Sequence, residues 1–521
     1  MAKQVGADRF GDFYKEGSKV RKRREWRGIS DTMYDYSRWL KIMMTLGKFV
    51  MKPRNVKAMF RYRWMANYLA VPMMVDRHTQ GLRGEYLRMC HEEQDLIIDD
   101  VAKLLDNLFR GDRRTGNDTE FSKKVVLVDE NEMTAVMMGF PNLKCLSRET
   151  PSTYVSVLLN QHAAEHYIDV AQEFGLAGDV CPMPEAEAGV SIDDDAPVLG
   201  ACAIQCNTTC DGSLLGNGVI SRRLEKEDSI PVFQLAAPLR HREDDVQEYA
   251  AQEIRNAIAF IEKHTGEKWD WDAYFECARR VNYATECRRE WLEMNRTPYP
   301  QVFGSNLALY TETNYMAICG RVPEFERADR RISALARKAY AKKKMAAKEY
   351  RHRAIIWGVQ SHYYMDFLVW LLNCWGIVPL TDMLSMVSTR KLKEENTPEN
   401  RETAFYDMAW LTENMIMRNR THGGYKVLLD ELWEFVEMFN ADMVILWEHM
   451  SCKALTGMHG MFEEKAREKG IPLIWVQHDL FDPRIISRQG VRDQINTYMR
   501  TVMNEEPIDP SLEILPDEQS W

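Results

Sequence analysis

The sequence predicts an α/β protein built on parallel sheets, preceded by a helical region. Three observations predict this. Apolar runs of strand length alternate with amphipathic stretches of helical length beyond residue 120. Before that point apolar residues recur at three- and four-residue spacing, with no strand-like alternation. The strand candidates are apolar almost throughout, as expected of a sheet covered on both faces.

The elements follow in order. Tyr34–Val50 and Val56–Met74 carry the helical period, and Gly81–Arg110 repeats it with Leu87, Ile97, Val101, Leu104 and Leu108 on one side. Polar Arg110–Glu120 reads as a linker. Lys124–Val128 is a short buried strand and Thr153–Gly175 a helical stretch. Val198–Ile204 and Ile230–Leu235 have strand length, and Glu248–His264 is an amphipathic helix. Residues 270–350 read as helical throughout. A second block offers strands at Ala354–Val359, Met443–Trp447 and Pro472–Gln477, with helices at Tyr425–Phe439, Gly460–Lys469 and Val491–Met503. The expected organisation is a basic helical extension (1–118), a first α/β domain (119–268), a helical segment (269–352), a second α/β domain (353–505) and an extended tail (506–521).

Composition narrows the class. A chain of 521 residues is too long for one compact core. Apolar content of 45% and charged content of 28% are those of a globular protein. Met1–Glu16 has no apolar leader core, and the longest apolar stretch, Phe367–Leu380, is too short and interrupted to span a bilayer. A cytoplasmic protein is expected, and there 11 cysteines, an odd number, do not form a disulfide framework. Buried thiols, redox thiols and metal ligands remain. The net charge of −10 hides a basic start, because residues 1–76 hold 17 Lys/Arg against 7 Asp/Glu. Lys19–Arg24, interleaved with Trp26, Tyr34, Trp39, Tyr62 and Trp64, has a composition that can bind nucleic acid. Packing on its own body or on an acidic partner subunit is the expectation instead, with neither nucleic acid nor membrane as partner.

Cysteine placement carries the chemistry. Cys206 and Cys210 form a local pair, a spacing that suits iron–sulfur or zinc ligation and equally permits buried thiols. Cys210 follows one predicted strand and Cys452 another, and open α/β sheets build their sites at such strand ends. Cys202 and Cys206 read as buried or supporting thiols, and Cys90, Cys145, Cys277, Cys287, Cys319 and Cys374 as core. Glu448 and His449 precede Cys452 and suit an acid/base pair; alternatively His449 hydrogen-bonds a thiolate or a carbonyl. His162 and His166 stand four apart on one expected helix face, a spacing that can bind zinc or simply line a cleft. Asp482 and Arg484 suit a turn around Pro483, and Lys453 suits the phosphates of a ligand or open solvent. Gly212–Gly218 lacks the Gly-x-Gly-x-x-Gly spacing of a dinucleotide loop, and no Gly-x-x-x-x-Gly-Lys-Ser/Thr loop occurs.

Five segments in order then carry a resemblance. They are Asp179-Val180-Cys181; Cys206 to Gly212; Thr265 to Trp269 with Phe275, Cys277 and Trp291; Ser451-Cys452-Lys453 with Thr456-Gly457; and Gly470-Ile471-Pro472 with Asp479 to Arg484. Together, from about residue 120 to 505, they resemble the 2-hydroxyacyl-CoA dehydratase/benzoyl-CoA reductase family, in the manner of its larger, substrate-binding subunit. The resemblance implies two flavodoxin-like domains with a helical part. It implies a [4Fe–4S] cluster held by Cys181, Cys210 and Cys452, with one iron left open to substrate. The implied substrate is an acyl-CoA, handled by one-electron chemistry through a ketyl radical, with 2-hydroxyacyl-CoA dehydration first. Reduction of an aromatic or unsaturated acyl-CoA, as by benzoyl-CoA reductase, is the alternative, and a non-catalytic iron–sulfur electron-transfer subunit is a third. A homologous second subunit and a separate ATP-dependent iron–sulfur activator are implied partners, and a flavin in the complex stays open. The chain departs from the family at Val128–Met133, at Pro182–Glu185 after the first cysteine, and at Gln494, where an arginine is common.

Overall fold

The computed structural model describes residues 29–71, 82, 84–129, 134–206, 210–236, 243–304, 310–311, 313–314, 318–346, 349–364, 366–385, 390–413 and 425–515. The basic run Lys19–Arg24 with Trp26, the acidic stretch at 130–133 and residues 207–209 lie outside them.

Among the described residues three helices come first: α1 (Ile29–Val50), α2 (Pro53–Arg61) and α3 (Gly84–Gly111). Proline at the first position of α2 disfavours helix at Lys52 and separates it from α1. The single helix expected over Val56–Met74 breaks at Tyr62, whose backbone is extended, and resumes as a 3₁₀ turn over Arg63–Ala70. The break lets the buried Tyr62 hydroxyl donate to Asp112 (2.7 Å) while its ring stacks on Trp64 and Phe109. The cations of this region meet carboxylates of α3: Arg38 donates to Asp95 (2.5 Å), and Lys52 and Arg54 to Asp106 (2.8 and 2.7 Å). The described part of the basic extension therefore packs on the chain's own body.

The first sheet contains β1 (Val125–Val128), β2 (Lys144–Leu146), β3 (Cys202–Cys206) and β4 (Val232–Leu235). Between and after its strands run α4 (Tyr154–Leu159), α5 (Glu165–Phe174), α6 (Pro182–Ile192), α7 (Asp211–Lys226) and α8 (Asp244–Thr265). Helices α9 (Trp271–Arg296) and α10 (Pro323–Ala341) follow. The second sheet contains β5 (His352–Trp357), β6 (Ile377–Asp382), β7 (Met443–His449) and β8 (Leu473–His478). Its helices are α11 (Phe367–Trp375), α12 (Pro398–Glu413), α13 (Tyr425–Met438), α14 (Lys453–Thr456), α15 (His459–Lys469) and α16 (Arg488–Thr501).

Both sheets are parallel throughout, and they share one order: β2-β1-β3-β4 and β6-β5-β7-β8. This is the α/β, flavodoxin-like arrangement expected of each half. In each, winding reverses between the first and third strands, and the crevice there, at the strands' carboxyl ends, is where such folds place ligands. Four-stranded sheets are buried on both faces; every residue of β1, β3, β6 and β7 is buried.

Several elements depart from expectation. The apolar run Phe367–Leu380 is two elements, because Gly376 (φ +71°) closes α11 in the left-handed conformation and turns the chain into β6. His162 and His166 do not share a helix, since α4 ends at Leu159 and α5 starts only at Glu165. The tail, expected to be extended, is held on the second half over its described residues, 506–515. The Ile508 amide donates to the Cys374 carbonyl (2.7 Å), and Trp370 and Arg492 donate to the Leu512 carbonyl (2.8 and 2.7 Å). Among the described residues no helix is long and apolar enough to cross a membrane.

Candidate functional site

Three helices begin near the carboxyl ends of the strands of the two sheets. Cys181 is the N-cap of α6, Cys210 of α7 and Cys452 of α14. Cys210 and Cys452 occupy equivalent places, each opening the helix after the third strand of its sheet. All three thiols are partly buried. The Cys210 sulfur accepts from the Ser213 amide (3.4 Å). Burial pushes the Cys181 thiol well above its usual pKa, and the charges of Cys210 and Cys452 push the same way, while the Met183 N–H pulls it down. Burial likewise raises Cys452; the Leu455 and Ala454 N–H groups oppose it and Cys210 adds to it. The three sulfurs are thus within electrostatic reach of one another. Amides at helix starts favour thiolate over thiol.

Glycine permits the close approach on the first-domain side. A Cβ on Gly212 would stand 3.1 Å from the Cys181 amide nitrogen, and one on Gly216 would stand 2.6 Å from the Pro184 carbonyl oxygen. The glycine-rich segment read as no dinucleotide loop lies inside α7, where Gly212 and Gly216 let α6 and α7 touch along their backbones.

Ion pairs join the two halves beside the cysteines. Lys453 Nζ lies 2.5 Å from Asp211 and 3.5 Å from Asp179. Each of these three residues is within two positions of one of the cysteines. Arg484 pairs with Asp482 (2.7 Å) in its own turn and reaches across to Asp169 on α5 (2.8 Å). Asp479 organises that turn by accepting from the Phe481 and Asp482 amides (3.0 and 2.8 Å).

Behind the cysteines lie groups that titrate abnormally. Glu448 and His449, adjacent on β7, project to opposite faces. Glu448 accepts from Gln477 (3.2 Å) and bonds His459 (3.0 Å). His449 instead joins two buried imidazoles, His362 and His478; its ring centroid is 5.7 Å from that of His478. Among the described residues no close hydrogen bond reaches either ring nitrogen of His449, His362 Nδ1 or His478 Nε2, and His449 Nδ1 stands 4.0 Å from an Asp479 oxygen. Burial first, then neighbouring imidazoles, lower His449 and His362 to about 3. Burial lowers His478 to about 4. All three are neutral at physiological pH. The ring of Tyr154 from the first half covers His362 at 4.3 Å. Two carboxyls move the other way. Burial, with Asp479 and Asp482 nearby, raises Glu185 to about 7, and Glu185 Oε1 has no partner. Burial and Asp482 raise Asp479 to about 6. Glu185 stands one helical turn after Cys181, so both face the same side of α6.

His162 and His166 take separate carboxylates, Glu165 (2.5 Å) and Asp193 (2.8 Å). Among the described residues no three His, Cys, Asp or Glu side chains converge closely enough for one metal ion. A cubane cluster asks for something else: each thiolate takes its own corner iron, so the sulfurs stand farther apart than the ligands of a single ion. Three thiols that influence one another electrostatically, each at a helix start, suit that donor set.

A family model described as 2-hydroxyglutaryl-CoA dehydratase, D-component, matches residues 132–501. The chain belongs to this family. It is accordingly a dehydratase-type component, and a component by name works with another. The match takes in β2, β3 and β4 of the first sheet, the whole second sheet and all three cysteines, and leaves β1 with α1, α2 and α3 outside. No curated protein matches the chain. Sequence reading passed over His362, His478 and Glu185. One signal for the imidazoles was available, since β7 and β8 both end in histidine, in Trp-Glu-His and Val-Gln-His.

Proposed function

We propose that this chain is the [4Fe–4S]-bearing component of a cytoplasmic enzyme that dehydrates a 2-hydroxyacyl-CoA by one-electron chemistry. Cys181, Cys210 and Cys452 hold the cluster. A homologous second component and an ATP-dependent activator complete the system, since no phosphate-binding loop occurs in this chain. The observation that supports the reading is that three cysteines from both halves of the molecule each stand at a helix start, with Cys210 and Cys452 both near enough to Cys181 to raise its pKa.

A cluster held by three thiolates supplies a low-potential electron and an open iron for an oxygen ligand. That electron would enter the thioester carbonyl, letting the 2-hydroxyl leave as hydroxide and C3 lose a proton before the electron is given back, for a net loss of water. The chain's own residues do the remaining work. Tyr154, Phe481 and the neutral imidazoles of His362, His449 and His478 exclude water behind the cysteines. Glu185 and Asp479, titrating near neutrality, hold or accept protons there.

Anaerobic purification with iron, sulfide and EPR measurement tests the proposal. A brown protein with about four irons per chain is expected, and Cys181→Ser, Cys210→Ser and Cys452→Ser should each lose it while remaining folded. A colourless protein containing zinc, or a cluster indifferent to all three substitutions, sinks the reading. An intact cluster with no dehydration of any 2-hydroxyacyl-CoA tested, in the presence of activator and second component, would move the chain to electron transfer.

A further inference from the structure

Helix α1 lies outside the residues that match the family, and one of its faces is apolar and exposed. Its inner face, with Asp35, Arg38, Ile42 and Phe49, is buried toward the body. The outer face carries Ile29, Met33, Tyr36, Leu40, Met44, Gly47 and, just past the helix end, Met51. Among the described residues nothing covers it. We propose that this face docks antiparallel on α1 of a second copy of the chain, around a two-fold axis passing beside Leu40.

The spacing makes the stripe its own complement. Steps of four and three residues run in the same order outward from Leu40 in both directions. An antiparallel two-fold therefore sets Leu40 against its own copy, Tyr36 against Met44, Met33 against Gly47 and Ile29 against Met51. A closed two-fold interface requires this, because residue i must meet j wherever j meets i. Sizes complement as well: a Cβ on Gly47 would meet nothing within 4 Å, so the Met33 side chain of the other copy has room to lie over it. The repeat of 11 residues in three turns stays close to the natural helical period, so the stripe runs nearly straight for roughly 33 Å.

Area and symmetry favour a protein copy over a lipid surface. The side chains Ile29, Met33, Tyr36, Leu40, Met44 and Met51 are 53% to 81% exposed. At roughly 200 Å² for a large side chain they offer on the order of 800 Å², about the ~800 Å² that a standard interface takes from each partner. A heterologous partner would have no need of a stripe symmetric about its midpoint.

Sedimentation and site-directed cross-linking of the full chain test this. The unaltered protein should sediment as a dimer, and Leu40→Glu should halve its mass. Phe174→Glu, at an exposed apolar position on α5, should leave the mass unchanged. Under mild oxidation Leu40→Cys should cross-link to its own copy, beyond any background of the parent. Met33→Cys should cross-link only when combined with Gly47→Cys. Loss of all Leu40→Cys cross-linking, or an unaltered mass for Leu40→Glu, overturns the proposal. So does a monomeric parent that binds phosphatidylserine-containing vesicles through Leu40.

Discussion

Two glycines of α7 separate packing from propensity at the scale of single residues. Gly216 lies against the Pro184 carbonyl, and an added Cβ would come within 2.6 Å of backbone that cannot give way. Gly218, two positions on, would meet nothing within 4 Å. Gly216→Ala should cost about 1–3 kcal/mol by forcing α7 off α6, lower the thermal midpoint by a few degrees and loosen cluster retention. Gly218→Ala should stabilise by up to ~1 kcal/mol through helix propensity alone, leaving the site untouched. Calorimetry of both variants decides; equal effects would mean that α6 and α7 are not held together as described. Residues of this kind mark the limit of what the sequence discloses. Cys210 and Cys452 could be placed at strand ends from apolar runs alone, whereas Cys181 could be placed only close to an α/β element, because the helix it precedes shows no amphipathic period. The His362 imidazole is neutral because of burial, and the rings that cover it, Tyr154 and Phe481, are distant from it in sequence.

Between elements, the ion pairs of Lys453 link the start of α14 to the start of α7 and to the turn before α6. All three carriers are substantially solvent-exposed, so the attraction is screened and contributes little to global stability. Its effect is on the relative placement of the helix starts. Lys453→Gln should fold with an unchanged thermal midpoint at high salt. At low salt it should show faster amide exchange over the first turns of α7 and α14 than the parent protein, and raising the salt should bring the parent to the variant's rate. No difference at any ionic strength would show that the pairs do not position these turns. The elements themselves were legible in proportion to their local signal. Six of the eight strands correspond to apolar runs. β2 is only three residues long and β6 continues an apolar helix without a polar break. Helix α12 shows no amphipathic period because it is claimed from two sides, by α8 and by its own loop at Arg390, which pairs with Asp407 (2.7 Å). Gln494 also has a structural explanation unavailable from sequence. Its amide accepts from the Gln477 N–H (2.8 Å) and donates to the Gln477 carbonyl (2.9 Å), satisfying the open edge of β8.

At the scale of the whole molecule, the two halves meet at carboxyls whose pKa burial raises toward neutrality, and this couples stability to pH. Glu185, from the first half, faces Asp479 and Asp482 of the second, and its pKa rises from 4.5 to about 7. The folded chain therefore binds more protons than the unfolded chain between pH 4.5 and 7. Stability from this group is complete below 4.5 and is lost as pH rises toward 7, because ionising Glu185 in the closed cleft places a charge beside two other carboxyls. Asp479, raised from 3.8 to about 6, adds a fall of the same sign over a lower window. Glu185→Gln keeps the shape and removes the titration. For the cluster-free protein, its thermal midpoint should match the parent near pH 4.5 and exceed it near pH 7.5. The pH-dependent fall of the parent between those values should shrink in the variant. A variant curve parallel to the parent's across the whole range would show that Glu185 is ionised in the closed molecule. The cleft would then be open to water where the fold draws it shut.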